Sequence, residues 1–444
     1  MSEQASGPAA GDAVEIDVER IAYGGDGVGR ADGLVVFVPW TASGERVRAR
    51  IVERHSRYAR ARLEGVLAAV GTRVEPGCPV FGICGGCQLQ HLDRESQLES
   101  KARAVADAFE RIGGMALSAP PGCEPAAQPW HYRRRATFTW RRWKGGSALG
   151  FHAAEDPSAI VDVEACPIFA EAGNVTLAGL RDALASAPLP DGDVPEEARV
   201  AVRALPGQDV QAGFFCDSAE RARELARHCA ARTRLATTWG ARGTVAAPFA
   251  LAAGAPRLAT RIEIGGLRLR VGFDSFLQAD PVAAARLYDA VDAGLAARPG
   301  ERVVDGYAGV GALTCRLSLA GVRVTAVEAH SGAASDLRAN AAAMGGEPVH
   351  VLELPAERVD WRRPRPDGVV LNPPRSGCAP AVLDSITRSS ARRIVYVSCD
   401  PTTLARDVRR LGGAWRLDSI RAFDLFPQTA HVETVVSLSR ERKS

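Results

Sequence analysis

The sequence predicts an α/β protein: a C-terminal Rossmann-like domain on a mainly parallel sheet, preceded by a small N-terminal OB-like β-barrel and a central α+β segment. Three observations predict it. From about Arg261 onward, short buried strands alternate with helical stretches, the pattern of a parallel sheet with crossover helices. Between Val14 and Leu67 the chain reads instead as several short strands and turns, enough for a small barrel of the oligonucleotide-binding kind. Between these regions lies a cysteine- and glycine-rich stretch, CPVFGICGGCQLQH at 78–91. A chain of 444 residues has room for two to four domains, and the boundaries are set at 1–70, 71–260 and 261–444.

Within the barrel, VEIDVERIAY alternates, GGDGVGR is a turn region, GLVVFVPW is a buried strand, and ERVRARIVERHSRYARARLEGVL makes two long strands with arginines on one face. A helix is predicted from Asp93 to Ile112, because Leu98, Ala102, Val105, Ala106, Phe109 and Ile112 recur at helical spacing and Gly113–Gly114 stops it. Residues 130–170 read as strands and turns. Residues 171–260 are alanine-rich and punctuated by proline, and carry no functional signal. The C-terminal strands are placed at 302–305, 323–328, 349–354, 368–372, 393–399 and 432–439.

Composition is that of a globular protein, with 46% hydrophobic and 24% charged residues. No apolar run is long enough to span a bilayer, and the N-terminus lacks the basic-then-apolar order of a secretion signal, so a cytoplasmic protein is expected. A net charge of +3 says little by itself. Its distribution says more: seven arginines face two glutamates between Glu45 and Arg62, and six basic residues and no acid lie between Trp130 and Lys144. Such patches suit a polyanion with stackable bases, and also suit solvated strand faces. Ten cysteines in a cytoplasmic chain point to metal or catalysis rather than to disulfides.

Asp305-Gly-Tyr-Ala-Gly-Val-Gly311 lies between a predicted strand and helix, and Glu328 ends the next strand. Glycines there let the backbone approach a ligand, and an acid there can accept hydrogen bonds from ribose hydroxyls. The pattern fits a dinucleotide, S-adenosylmethionine or merely a tight turn. Thr314 stands where a dinucleotide loop has its third glycine, which favours the methyl donor. Asn372-Pro-Pro-Arg-Ser-Gly ends another strand at the same sheet edge, as does Tyr-Val-Ser-Cys399-Asp-Pro. Carbon 5 of uracil becomes nucleophilic only after something adds at carbon 6, and a thiolate suits that addition. The carbon 5 proton must then be removed by a base, for which Glu433, opening the last strand, is placed. A lone buried cysteine is more often a core residue; here the glycine loop, the acid and the NPPR loop stand beside it.

Taken together, SFLQAD (275–280), DGYAGVG (305–311), NPPRSG (372–377), YVSCDPTTLARD (396–407) and DLFPQTAHVE (424–433) resemble, in order and spacing, the RNA uracil-5 methyltransferase family, whose members modify ribosomal RNA and the T-loop of transfer RNA. The resemblance implies Cys399 as nucleophile, Glu433 as base, and Gln278, Tyr307, Gly309, Gly311, Glu328 and Asn372 at S-adenosylmethionine-contacting positions. Many members carry Asp where Asn372 stands and Asn where Asp400 stands, which blurs the branch. Cys78, Cys84 and Cys87, with Cys166 following, look like the four ligands of that family's [4Fe–4S] cluster; spacing alone leans only slightly to iron over zinc. The barrel resembles a TRAM domain, an RNA-binding module.

The resemblance implies an RNA partner, 23S ribosomal RNA ahead of transfer RNA (uridine 54), and a monomer is expected. Two competing readings stand beside it. A base amino-group methyltransferase would use Asn372-Pro-Pro but neither Cys399 nor Glu433. An RNA-binding or RNA-folding protein would need only the barrel and the basic segments.

Overall fold

The computed structural model describes residues 7–188, 196–242, 249–276, 278–363 and 365–440. The N-terminal barrel is a six-stranded sheet of β1 (Ala13–Asp17), β2 (Arg20–Ile21), β3 (Gly27–Ala31), β4 (Leu34–Val38), β5 (Arg46–Arg54) and β6 (Tyr58–Ala68), in the order β1-β5-β6-β4-β3-β2. Alternation puts Val47, Ala49 and Ile51 of β5 inside and Arg46 and Arg48 outside, where both arginines pair with Glu15 at 2.9 and 3.2 Å. The barrel core closes over Leu89 and Leu92, so the end of the cysteine-rich stretch is folded against it.

Helix α1 (Arg94–Arg111) begins at Asp93, whose carboxylate caps the Ser96 N–H at 2.8 Å. Its apolar face, Val105, Ala108 and Phe109, packs into the core of the C-terminal domain. The two-residue β7 (Cys123–Glu124) adds an edge strand to the same domain's sheet. The segment 94–124 thus straps the middle of the chain onto the C-terminal unit.

The central sheet has seven strands: β8 (Arg135–Trp143), β9 (Gly146–His152), β10 (Ile160–Asp162), β11 (Glu196–Arg203), β12 (Gln211–Cys216), β13 (Ala236–Arg242) and β14 (Phe249–Leu251), in the order β10-β9-β8-β11-β12-β13-β14. Helices α2 (Glu171–Ala185) and α3 (Ala219–Thr233) cover it over Phe138, Trp140, Leu180, Phe214 and Leu225. The basic–aromatic stretch is therefore mostly strand β8. Trp140 is fully buried, Arg141 pairs with Glu197 at 2.7 Å, and Arg135 lies over the Phe273 ring. These side chains support the fold and are not an open stacking platform.

A hairpin, β15 (Ala259–Ile264) and β16 (Leu267–Gly272), leads into the C-terminal domain, whose core it joins through Ile262, Leu267 and Leu269. There α4 (Pro281–Leu295), β17 (Arg302–Gly306), α5 (Ala312–Leu319), β18 (Arg323–Val327), α6 (Ser331–Met344), β19 (His350–Leu352), β20 (Gly368–Leu371), α7 (Pro380–Thr387), β21 (Arg393–Ser398), α8 (Pro401–Leu411), β22 (Trp415–Phe423) and β23 (Glu433–Arg440) build an eight-stranded sheet. Its order is β19-β18-β17-β20-β21-β23-β22-β7. The first five strands are parallel, and β23 runs antiparallel to both neighbours. The direction of strand order reverses between β17 and β20, so the crevice beyond their carboxyl ends is where such a sheet binds ligands. The sequence pattern did not mark β22, whose alternation is weak, with Leu417 and Ile420 half-buried and a register shift between Leu417 and Ser419.

Candidate active site

The parallel strands deliver the predicted residues to one edge. β17 ends in the glycine loop, β18 is followed by Glu328, β20 by Asn372 and β21 by Cys399. Ser398 pairs with Thr434 across the β21–β23 ladder, so the next step along each strand brings Cys399 and Glu433 to the same rung. Topology alone therefore sets the predicted nucleophile beside the predicted base.

The glycine loop is held by its own acids. Tyr307 has φ +63°, a left-handed backbone uncommon for a residue with a side chain and typical of a functional loop. Gly311, at φ +86°, lies against Leu337, where a Cβ would come within 2.8 Å of Leu337 Cγ. Glu328 accepts the Gly309 N–H at 2.8 Å on one oxygen and the His330 N–H at 2.7 Å on the other. This fixes the carboxylate and leaves each oxygen with further acceptor capacity. Thr314, in place of the third glycine, donates its hydroxyl to buried Asp305 at 2.5 Å. Burial pushes the Asp305 carboxyl up to about 7.

Gln278 is buried, and its Oε1 has no hydrogen-bond partner among the described residues, an orphan acceptor at the entry to α4. The loop carrying it is tied down from two sides. Asp336 accepts from the Gly272 N–H at 2.6 Å and the Ser275 hydroxyl at 2.8 Å. From the central domain, buried Arg203 donates to the carbonyls of Val271, Gly272 and Phe273 at 3.1, 2.8 and 3.1 Å. The segment that looked functionally silent in sequence thus supplies the clamp for a site loop. Only Arg203's burial, invisible in one sequence, reveals it.

Cys399 is half-buried, and its thiol is pushed up to about 11, first by burial, then by Glu433 and Asp400, with Arg375 pulling the other way. Glu433 is buried and pushed up to about 7 by desolvation, again opposed by Arg375. Arg375, the arginine of the NPPR loop, approaches His431 at 3.1 Å and is the cation common to both groups. Asp400, a carboxylate adjacent to the nucleophile, is committed elsewhere: it caps α8 through the Thr402 and Thr403 N–H groups at 2.8 and 3.1 Å.

The loop before Glu433, DLFPQTAHV, is locked to the rest of the molecule. Buried Lys101 of α1 pairs with Asp424 at 2.5 Å and donates to the Phe426 carbonyl at 2.9 Å, and Arg94 also pairs with Asp424. Gln97 and Gln428 bond reciprocally at 3.0 Å, and the Gln88 and Leu89 N–H groups donate to the Gln428 carbonyl at 3.2 and 3.0 Å. The loop leading to the base is therefore in contact with the cysteine-rich stretch.

Cys78, Cys84, Cys87 and Cys166 line one cavity of about 60 Å³ with apolar walls that include Val80, Phe81, Phe151 and Val163. The Gly86 N–H points at Cys84 Sγ at 3.4 Å, and the Phe169 N–H donates to the Cys166 carbonyl at 2.9 Å. Burial raises the Cys84 and Cys166 thiols and pushes Cys87 up to about 12. Among the described residues, no three His, Cys, Asp or Glu side chains converge closely enough to hold a single metal ion.

A model for the tRNA (uracil-5-)-methyltransferase family matches residues 267–441, and a TRAM-domain model matches residues 10–63. An RNA methyltransferase of Thermosynechococcus vestitus is 33% identical over 97% of this chain and 98% of its own length. One from Gloeobacter violaceus is 33% identical over 97% of each chain. The chain belongs to the RNA uracil-5 methyltransferase family. A solved structure, the Pyrococcus abyssi tRNA (uracil-54, C5)-methyltransferase in complex with S-adenosyl-L-homocysteine, shares the fold of this family member with a TM-score of 0.73 at 24% identity, over 96% of this chain and 99% of that one. No helix among the described residues is long and apolar enough to cross a membrane.

Proposed function

We propose that the protein methylates carbon 5 of a uridine in RNA through a covalent bond between Cys399 and carbon 6. The observation that carries this reading is the placement of Cys399 and Glu433 one step beyond the last β21–β23 pair, Ser398–Thr434, at the carboxyl edge of the sheet, with Arg375 near both. Cys399 Sγ, as thiolate, adds to carbon 6 and leaves carbon 5 as an enolate-like nucleophile. S-adenosylmethionine, when bound, supplies the electrophilic methyl group. Glu433 then takes the proton from carbon 5, and the thiolate is expelled to restore the aromatic ring. A carboxyl held near 7 is poised for that step at neutral pH. Asp400 has one oxygen, Oδ1, taken up by the start of α8, where it accepts from the Thr402 and Thr403 N–H groups, which makes it the weaker candidate.

The donor set for the methyl donor fits this chain. Glu328 would hold the ribose hydroxyls, the backbone at Gly309 and Gly311 would line the approach, and Tyr307 and Asn372 would flank the reacting end. The orphan acceptor of Gln278 would find a polar partner there. The cysteine pocket fits a [4Fe–4S] cluster better than zinc. A tetrahedral zinc site brings its sulfurs to about 3.8 Å from one another, whereas here four thiols ring an apolar cavity, no three of them converging on one ion among the described residues, with the Gly86 N–H aimed at the Cys84 sulfur, a contact of the kind that tunes clusters. Such a group would act as a brace for the 78–91 loop and its hold on Gln428; methyl transfer needs no electron.

The proposed substrate is 23S ribosomal RNA, on the combination of barrel and cysteine pocket. A transfer RNA is the second reading, favoured by the name of the matching family model. Mapping 5-methyluridine in both RNAs from a deletion strain decides between them: a lost ribosomal site supports the first, a lost T-loop site the second. For the chemistry, RNA carrying 5-fluorouridine at the target should form a denaturant-stable adduct with the protein. An amino-group methyltransferase, or a protein that only binds RNA, forms none.

A further inference from the structure

The turn between β2 and β3 of the barrel reaches the catalytic edge of the other domain. Tyr23 lies on this turn, half-buried against the core that carries Tyr396 and Val432, and its hydroxyl donates to the Cys399 carbonyl at 3.4 Å. At 3.4 Å this is a long O–H···O contact, and the surrounding contacts of the turn fix where the ring sits. Around Tyr23 stand Cys399, Asp400, Arg375 and Glu433, the groups of the proposed reaction. Burial and the neighbouring acids hold its phenol above the usual tyrosine range, so it remains a hydrogen-bond donor at every working pH.

The close approach is built into the sequence. Gly25, at φ +98° and buried, packs against Gln88 of the cysteine-rich stretch and Ala430 of the loop before the base; a Cβ there would come within 2.6 Å of Gln88 Cβ and 3.5 Å of Ala430 Cβ. Arg20, at the start of the same hairpin, pairs with Asp107 of α1 at 3.2 Å. Three contacts thus seat one barrel turn between the helix, the cysteine-rich stretch and the catalytic loop.

We propose that Tyr23 is a positioning residue for the nucleophile, contributed by the RNA-binding barrel: its hydroxyl holds the end of β21 and sets the Cys399 thiol against the uracil. The inference rests on the reading of Cys399 given above. It makes the barrel part of the catalytic apparatus and not only a tether for RNA, so that seating of the barrel and alignment of the nucleophile are one event.

Full-length Tyr23→Phe keeps the ring and loses the donor. Single-turnover addition to 5-fluorouridine RNA should slow by roughly three- to tenfold, the worth of one hydrogen bond. The dissociation constants for RNA and S-adenosylmethionine and the melting temperature should stay at wild-type values. Asp107→Asn, which loosens the seat without touching the site, should slow addition in the same sense by a smaller factor. Addition by Tyr23→Phe at the wild-type rate overturns the inference, as does a loss of rate that follows RNA affinity alone. A wild-type protein that forms no adduct overturns the reading of Cys399, and this inference with it.

Discussion

Cys399 at the sheet edge and the half-buried cysteines of the 78–91 loop with Cys166 look alike by the usual measures. Cys399, Cys84, Cys87 and Cys166 are all partly exposed, and burial raises every one of these thiols. Their neighbours separate them. Cys399 faces a carboxylate, an arginine and a tyrosine, groups that move protons and stabilise charge. The loop cysteines also have an arginine, Arg133, and Gln90 beside them, but otherwise face a backbone N–H group, apolar walls and one another, and no carboxylate among the described residues. Exposure and thiol ionisation therefore do not identify a nucleophile; the chemistry of the opposing groups does.

The sharpest way to break this comparison is to remove one sulfur from each group. Cys399→Ala should abolish methylation and adduct formation completely, with the melting temperature near wild type, since a half-buried strand-end thiol contributes little packing. Cys84→Ser should give the reverse pattern: a lower melting temperature and loss of iron from anaerobically purified protein, with residual methylation in the fraction that stays folded. Iron analysis and thermal melts read both. A wild-type protein carrying one zinc and no iron would place the loop among single-ion sites. Cys399→Ala that still methylates would return Cys399 to the core.

Much of this architecture is legible from the sequence, and the exceptions share a cause. Strands β17, β18, β20 and β21 are continuous apolar runs ending in chemically distinctive residues, because a parallel strand buried on both faces leaves its carboxyl end as the place for polar groups. Helix α1 is legible from its period and from the Asp93 cap. Arg203, Lys101 and Tyr23 are not. Each acts from a different domain or strap, across a sequence separation of 68 residues for Arg203 and Val271, 323 for Lys101 and Asp424, and 376 for Tyr23 and Cys399. Nothing local marks them, since an arginine in a strand, a lysine on a helix and a tyrosine in a turn are all ordinary surface residues until the fold buries them. Arg375 is intermediate: it sits in a motif noted for its prolines, and its role appears only when the fold brings it to His431, Cys399 and Glu433.

The next step along the comparison concerns Glu433, which should separate chemistry from adduct formation. Glu433→Gln keeps the nucleophile, so addition and methyl transfer proceed, but carbon 5 keeps its proton. A methylated RNA–protein complex should accumulate with ordinary substrate RNA, visible as a retarded band on a denaturing gel, while turnover falls by orders of magnitude. Asp400→Asn should instead turn over and keep its helix cap, since Asn caps as well as Asp, losing only the charge at the helix start, about 0.3–1 kcal/mol. A trapped adduct in Asp400→Asn, with normal turnover in Glu433→Gln, would exchange the two assignments.

The smallest effect is on stability, and it tests whether the burial that equips Glu433 for catalysis also costs folding energy. In the unfolded chain a glutamate titrates near 4.5, and in the folded protein Glu433 is held up to about 7. A raised carboxyl contributes stability that is fully present below the unfolded value and is lost as pH rises through the folded one. Between pH 4.5 and 7 the wild type should therefore lose stability, on the order of 1–3 kcal/mol from this group, while Glu433→Gln, with nothing to ionise, should not. Asp305, also held up to about 7, contributes in the same direction and is common to both proteins, so it cancels in the difference. The melting temperature of Glu433→Gln relative to wild type should be near parity or lower at pH 5 and higher at pH 8. The loop cysteines provide the contrast, because Cys84→Ser should lower the melting temperature at both pH values without a crossover. A Glu433→Gln difference that stays flat from pH 5 to pH 8 would mean that Arg375 compensates the buried carboxylate fully. Glu433 would then be an ordinary ion-paired acid, and the case for it as a base tuned to neutral pH would fail.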